Sequence, residues 1–250
     1  MENYNKILSS FYIQDELNPD IWTNPDDPSK SRMISEVRNA LLEISEEFIQ
    51  FLGIDIFISD ITMTGSLSNY NWSEFSDVDL HVMYNFTESG SQKELHQELF
   101  KLKKTLFNST HDILVKGYDV ELYVQDTEET HFSTGVYSVL YNEWIVEPTP
   151  ESVTIDEDKL KSKVDQWMDI IDLVIENADD EDLDTALVMI DSVKDKLKKF
   201  RSCGLEREGE YSYENLVFKF LRRNGYIQKL FDFTNELVDN RLSLEQKIAE

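Results

Sequence analysis

Cysteine is almost missing from this chain: Cys203 is the only one in 250 residues. That excludes a disulfide scaffold and a cysteine-based zinc site, and it fits a reducing cytoplasm. Glycine (8) and proline (5) are scarce, so the chain is neither fibrous nor low in complexity. No apolar run approaches the ~20 residues that a membrane span needs. The opening Met1-Glu2-Asn3-Tyr4-Asn5-Lys6 has no basic stretch followed by an apolar one, so no secretory leader is expected. Positive charge is also short: 24 Lys+Arg against 50 Asp+Glu give a net charge of −26. Such a surface repels polyanions beyond a screening distance of about 8 Å at physiological salt. Indiscriminate binding of duplex DNA through its phosphates is therefore not expected, although a short nucleic acid held at a local basic patch stays open. The four histidines show no metal-ligand spacing, and there is neither a Gly-x-Ser-x-Gly elbow nor a P-loop.

What is present suffices for one large core or two modest ones, with 40% hydrophobic and 12% aromatic residues. A short helix opens the chain, followed by a loop rich in turn formers, Asn18-Pro19-Asp20 and Asn24-Pro25-Asp26-Asp27-Pro28. Met33, Val37, Leu41, Ile44, Phe48 and Phe51 then step by three or four on one helical face, which Gly53 should end. Strands are expected at 54–63, 77–84 and 118–125, and a hairpin at 136–146. Between the second and third strands, Ser91 with Glu94 reads as a capping box ahead of an amphipathic helix carrying Leu95, Leu99, Leu102 and Leu106. After Pro148-Thr149-Pro150 the pattern becomes helical throughout, with segments at 157–176, 181–201 and 213–238. The expected fold class is α+β: a small mixed β-sheet with helices over residues 1–150, including the N-terminal helical segment, then a helical domain over 151–250.

The chemistry concentrates in Gly65-Ser66, then about ten residues, then Asp77-Val78-Asp79-Leu80-His81-Val82. On a strand, Asp77 and Asp79 share one face while Val78, Leu80 and Val82 take the other. Folding requires no such pair of acids. Two like charges at about 4 Å repel by about 4 kcal/mol at an effective dielectric near 20, so the pair wants a cation, and hard oxygen ligands suit Mg²⁺. In Tyr118-Asp119-Val120-Glu121-Leu122, Asp119 and Glu121 lie opposite the apolar set. If this strand pairs with the second, either acid could complete a three-carboxylate cluster, Glu121 being the more central. Such a cluster can hold two Mg²⁺ ions, one activating a hydroxyl and one steadying a triphosphate. Gly65 permits close backbone approach to the phosphates, and a helix starting at Ser66 would offer them N–H groups.

This arrangement resembles the signature of the DNA polymerase β-type nucleotidyltransferase superfamily: a hydrophobic residue with Gly-Gly/Ser, a spacer of about ten, then Asp-hydrophobic-Asp/Glu-hydrophobic. Val120-Glu121-Leu122 is similar to that family's third acidic element. The run from Gly65 to Trp72, with Leu17-Asn18-Pro19, also resembles uncharacterised phage-encoded nucleotidyltransferase-like proteins. The resemblance spans residues 54–125. It implies transfer of a nucleoside monophosphate from an NTP, with ATP assumed, to an acceptor hydroxyl by two-metal catalysis. Asp77, Asp79 and Glu121 would be the metal-binding and catalytic groups, with Gly65 and Ser66 at the phosphates. The acceptor stays open among an RNA end, a small molecule and a protein hydroxyl.

Other signals are local. His81 lies on the carboxylate face, where a structural hydrogen bond is expected, and His96 and His111 read as surface residues. His131 joins no constellation. Lys194, Lys196, Lys198, Lys199 and Arg201 read as the end of a helix, complementing its dipole. Lys219, Arg222 and Arg223 form a second cationic patch, and Lys219 and Arg222 are candidates to bind the triphosphate or an acceptor phosphate. The reading is thus a cytoplasmic, Mg²⁺-dependent nucleotidyltransferase. Its alternatives are a nucleotide-binding protein that keeps the fold without turnover and an acidic partner-binding protein.

Overall fold

The computed structural model describes residues 2–54, 56–129, 133–150, 152–179 and 181–243. His131 lies outside these residues. The fold is α+β, and the chain divides into two units, one of Tyr12–Ser152 and one of Met1–Phe11 with Val153–Glu250.

In the first unit a six-stranded mixed sheet has the order β3-β4-β2-β1-β5-β6. The strands are β1 (Ile58–Thr64), β2 (Val78–Tyr84), β3 (Leu114–Val115), β4 (Tyr118–Asp126), β5 (Val136–Ser138) and β6 (Glu143–Val146). Strand β2 is antiparallel to β1 and parallel to β4. A parallel neighbour requires a crossover, and helix α3 (Lys93–Thr110), with the short β3, makes it. Alternation decides the faces: Val78, Leu80 and Val82 of β2 and Val120 and Leu122 of β4 are buried. The preceding helix α2 (Ser35–Leu52) buries Val37, Leu41 and Phe48 in this core and stops at Gly53, whose left-handed φ of 67° favours a residue without a Cβ.

Helix α3 differs from its sequence reading. It begins at Lys93 after Gln92, which makes no side-chain cap, and the side chain of Ser91 lies outside the described set. Its buried residues are Phe100 and Phe107, whereas Leu95, Leu102 and Leu106 face solvent. Phe107 meets Phe48 edge-on at 5.1 Å. A leucine stripe and an aromatic stripe compete on this helix, and the aromatic one takes the core.

The second unit is helical, with α1 (Glu2–Ser9), α4 (Glu157–Asp179), α5 (Leu183–Glu208), α6 (Tyr213–Arg223) and α7 (Tyr226–Leu242). The sequence reading kept residues 1–11 with the sheet; in the structure Tyr4 of α1 packs on Phe220 of α6 at 4.7 Å. Asn3 donates to Asn224 at 3.1 Å. The segment read as one helix over 213–238 is two, because Asn224-Gly225 interrupts it with Gly225 at φ 80°. Helix α5 runs to Glu208 rather than 201. The lysines at 194–199 and Arg201 therefore lie inside the helix, and dipole complementarity, which is confined to the last turn, does not account for them.

Candidate metal centre

Strand pairing assembles the centre. Asp79 of β2 lies in register with Glu121 of β4, and its other neighbour across the ladder is Thr64 of β1. Asp77 immediately precedes β2 and points with Asp79 by the strand's period of two. One carboxylate oxygen from each of Asp77, Asp79 and Glu121 lies within 4.8 Å of the others, and all three residues are half-buried. Were every separation at that limit, a central cation would sit about 2.8 Å from each oxygen, so sub-ångström adjustments reach the roughly 2.0–2.6 Å of Mg–O and Ca–O contacts. The donor set is oxygen only, which suits a hard divalent cation. Asp119, the other acid considered for this role, pairs with Leu114 at the exposed start of β4 and is not part of the cluster.

The turn before the acids fits them closely. Gly65 adopts φ 79°, ψ −164°, a region open essentially to glycine alone. A Cβ there would lie 2.0 Å from Asp79 Oδ2, so the missing side chain is the space the carboxylate occupies. Where a helix is expected to start, Ser66 begins a single 3₁₀ turn, Ser66–Ser68. Its hydroxyl donates to Ser76 Oγ at 2.7 Å, and Ser76 Oγ accepts the Ser73 N–H at 2.9 Å. The segment from Gly65 to Trp72 is held by the loop of residues 12–34. Trp22 Nε1 donates to Leu67 O at 2.7 Å, Gln14 N to Tyr70 O at 2.7 Å, and Trp72 Nε1 to Glu16 O at 2.9 Å. Trp22 itself stacks on Trp144 at 4.4 Å and meets Tyr137 edge-on at 4.8 Å.

One further residue, Tyr123, adjoins the candidate centre. The phenol of Tyr123, two residues after Glu121 on the same strand face, donates to Glu121 Oε2. Burial, then that hydrogen bond, then the charges of Glu121, Asp79 and Asp77 push its pKa far above the usual tyrosine range. The phenol therefore stays a donor and fixes one oxygen of Glu121. His81 stacks on the Tyr123 ring at 4.9 Å, and its Nε2 shares a 3.1 Å hydrogen bond with Thr64 Oγ1, the structural bond expected of it. Lys104 of α3 lies 3.8 Å from the centroid of the same ring. The period of two already placed Tyr123 beside Glu121; its polar tip was the available signal.

The cations named from the sequence belong to the helical unit. Lys219 forms an ion pair with Glu210. Arg222 is exposed in the last turn of α6, and Arg223 lies over the Phe11 ring at 5.0 Å and donates to Ser10 Oγ. No helix among the described residues is long and apolar enough to cross a membrane.

No protein-family model matches this chain, and no curated protein matches it. Among solved structures, one similar to it is described as a STING-associated CdnE c-di-GMP synthase from Capnocytophaga granulosa. The two share 16% identity over 95% of this chain and 99% of the other, with a TM-score of 0.23, a likeness too slight to support an argument about either fold or activity.

Proposed function

We propose that this protein is a nucleotidyltransferase that passes a nucleoside monophosphate from a nucleoside triphosphate, ATP in the first instance, to an acceptor hydroxyl. One observation carries the reading: adjacent parallel strands set Asp79 opposite Glu121, with Asp77 beside them and all three oxygens within 4.8 Å. Three acids converging on one point repel one another, which a bound cation relieves. Asp77, Asp79 and Glu121 would hold the divalent cations, Mg²⁺ by the nature of the donors. When bound, such ions supply the positive charge that acidifies the acceptor hydroxyl and neutralises the departing pyrophosphate.

The chain's own groups divide the remaining work. Tyr123 donates to Glu121 Oε2 and so orients the carboxylate, which would take up the proton as the acceptor oxygen bonds to the α-phosphorus and the bond to the β-phosphate breaks, releasing pyrophosphate. Gly65 and Ser66 border the phosphate end: the bare Cα admits close approach, and Ser66 gives up only its bond to Ser76 to turn its hydroxyl toward a phosphate oxygen. The single, exposed Cys203 is compatible with a cytoplasmic setting.

The test is incubation of the protein with each α-labelled NTP, Mg²⁺ and cell lysate, beside an Asp77→Ala/Asp79→Ala control. Label transfer by the native protein alone supports the reading. Transfer that persists in the control refutes the assignment of the two acids. Metal-dependent nucleotide binding without transfer would make the protein a nucleotide binder that does not turn over.

A further inference from the structure

In the helical unit, Lys163, Arg207, Lys219, Lys229 and Arg241 each face a carboxylate. Lys194, Lys198, Arg201 and Arg222 form no salt bridge among the described residues. Lys159, Lys161, Lys196 and Lys199 form none either, so what sets Lys194, Lys198 and Arg201 apart is that they gather around one groove. Position in the helix does not explain those on α5, which continues past them to Glu208. Arg201 is held in place, with its Nε donating to Asn215 Oδ1 at 3.1 Å and its guanidinium 4.4 Å from the Phe218 ring centroid. Lys194 sits over Phe231 at 4.6 Å. Burial, and then the charge of Arg222, lower the Arg201 pKa; burial also lowers that of Lys194, against the pull of Asp191. Arg201 and Lys194 are thus partly desolvated, and Arg201 feels the like charge of Arg222, a situation that a bound anion relieves.

Between α5, α6 and α7, Lys194, Lys198 and Arg201 rim a groove of about 380 Å³, within the usual range of small-ligand pockets, roughly 300–1,000 Å³. Its floor is apolar, from Leu197, Ile227 and Leu230 with the rings of Phe218 and Phe231, and Asp195 is the one acid in its lining. Phe231 is 47% exposed, so a large ring stands open to solvent beneath an ammonium group. A flat apolar body and an anionic end are what this combination accepts. The arginine fork suits phosphate, and sequence-tolerant stacking on an aromatic ring suits a base.

We infer that this groove binds a nucleoside phosphate, its base over Phe218 and Phe231 and its phosphate against Lys198 and Arg201, with Arg222 adding charge nearby. The site is separate in residues from the carboxylate centre and needs no metal, so the two readings stand or fall independently. Binding of N-methylanthraniloyl-ATP to the full chain in EDTA tests it, followed by fluorescence polarisation with AMP and decanoate as competitors. Lys198→Glu and Phe231→Ala change exposed residues, and their melting curves report whether the fold is kept. Saturable binding should survive Asp77→Asn/Asp79→Asn, weaken about tenfold in Lys198→Glu and at least about fivefold in Phe231→Ala, and be displaced by AMP. No saturation below millimolar concentration would overturn the inference. So would loss of binding in the triad variant alone, indifference to both groove variants, or displacement by decanoate as readily as by AMP.

Discussion

Replacing Gly65 by alanine perturbs the centre at its narrowest point. The backbone there sits at φ 79°, ψ −164°, and holding an L-residue in that region costs about 1–3 kcal/mol. The added Cβ also falls 2.0 Å from Asp79 Oδ2 and 3.0 Å from its Cγ. The carboxylate must swing away from Asp77 and Glu121, because the turn itself is anchored through Trp22, Gln14 and Trp72. Two effects follow. At about 2–4 °C per kcal/mol for a chain of this size, melting of the sheet unit should fall by roughly 2–12 °C. Mn²⁺ affinity, read by calorimetry, should fall about 10–100-fold, the range for disturbing the orientation of a metal ligand. Gly117→Ala is the control: its φ is 86°, but nothing lies within 4 Å of the added Cβ. It should lose stability and keep its Mn²⁺ affinity. Equal Mn²⁺ affinity in Gly65→Ala and the native protein would refute the claim that Gly65 makes room for the Asp79 carboxylate.

Tyr123→Phe and Glu121→Gln, measured singly and together by urea unfolding, should show a coupling of about 1.5–3 kcal/mol, since the phenol donates to a charged acceptor; strictly additive losses would contradict that bond. Trp22→Phe removes the donor to Leu67 O and part of the stack on Trp144, and should destabilise the sheet unit by about 2–3 kcal/mol in the same assay. In the helical unit, Glu214 is buried and bonded to Arg207 at 3.0 Å. Burial raises its pKa, but its backbone hydrogen bond, Arg207 and Lys163 together lower it. A lowered carboxylate pKa stabilises the fold above the unfolded value and ceases to do so as pH falls through the folded one. Glu214→Gln should therefore cost about 1 kcal/mol near pH 7, a figure kept small by the exposure of Arg207. The difference from the native protein should shrink as urea titrations move below the ordinary glutamate range.

Sheet and acids were readable because both rest on the period of two. Val78-Asp79-Leu80 and Val120-Glu121-Leu122 each place one acid between two core residues, and register then pairs those acids. The choice between Asp119 and Glu121 was not local, since it depends on where β4 meets β2 rather than on alternation. Gly65-Ser66 was visible as a turn, but the space that the glycine leaves for Asp79 appears only once β1 and β2 pair. Helix α3 misled because Leu95, Leu102 and Leu106 and the pair Phe100 and Phe107 both fit a helical stripe, and only the facing residues, Phe48 among them, decide which is buried. The loop of residues 12–34 stood out by its turn formers and by Leu17-Asn18-Pro19, and neither points to a brace. Its role as the brace behind the Gly65–Trp72 turn comes from single hydrogen bonds between residues far apart in the chain, a relation that composition and spacing do not encode.

The most direct measurement is a crystal of the protein soaked with Mn²⁺ and a non-hydrolysable nucleoside triphosphate, with anomalous scattering recorded at the manganese edge. The account predicts a peak ligated by Asp77, Asp79 and Glu121, with phosphate oxygens completing its shell beside Gly65 and Ser66. Manganese bound elsewhere, or a nucleotide seated away from those three carboxylates, would contradict it.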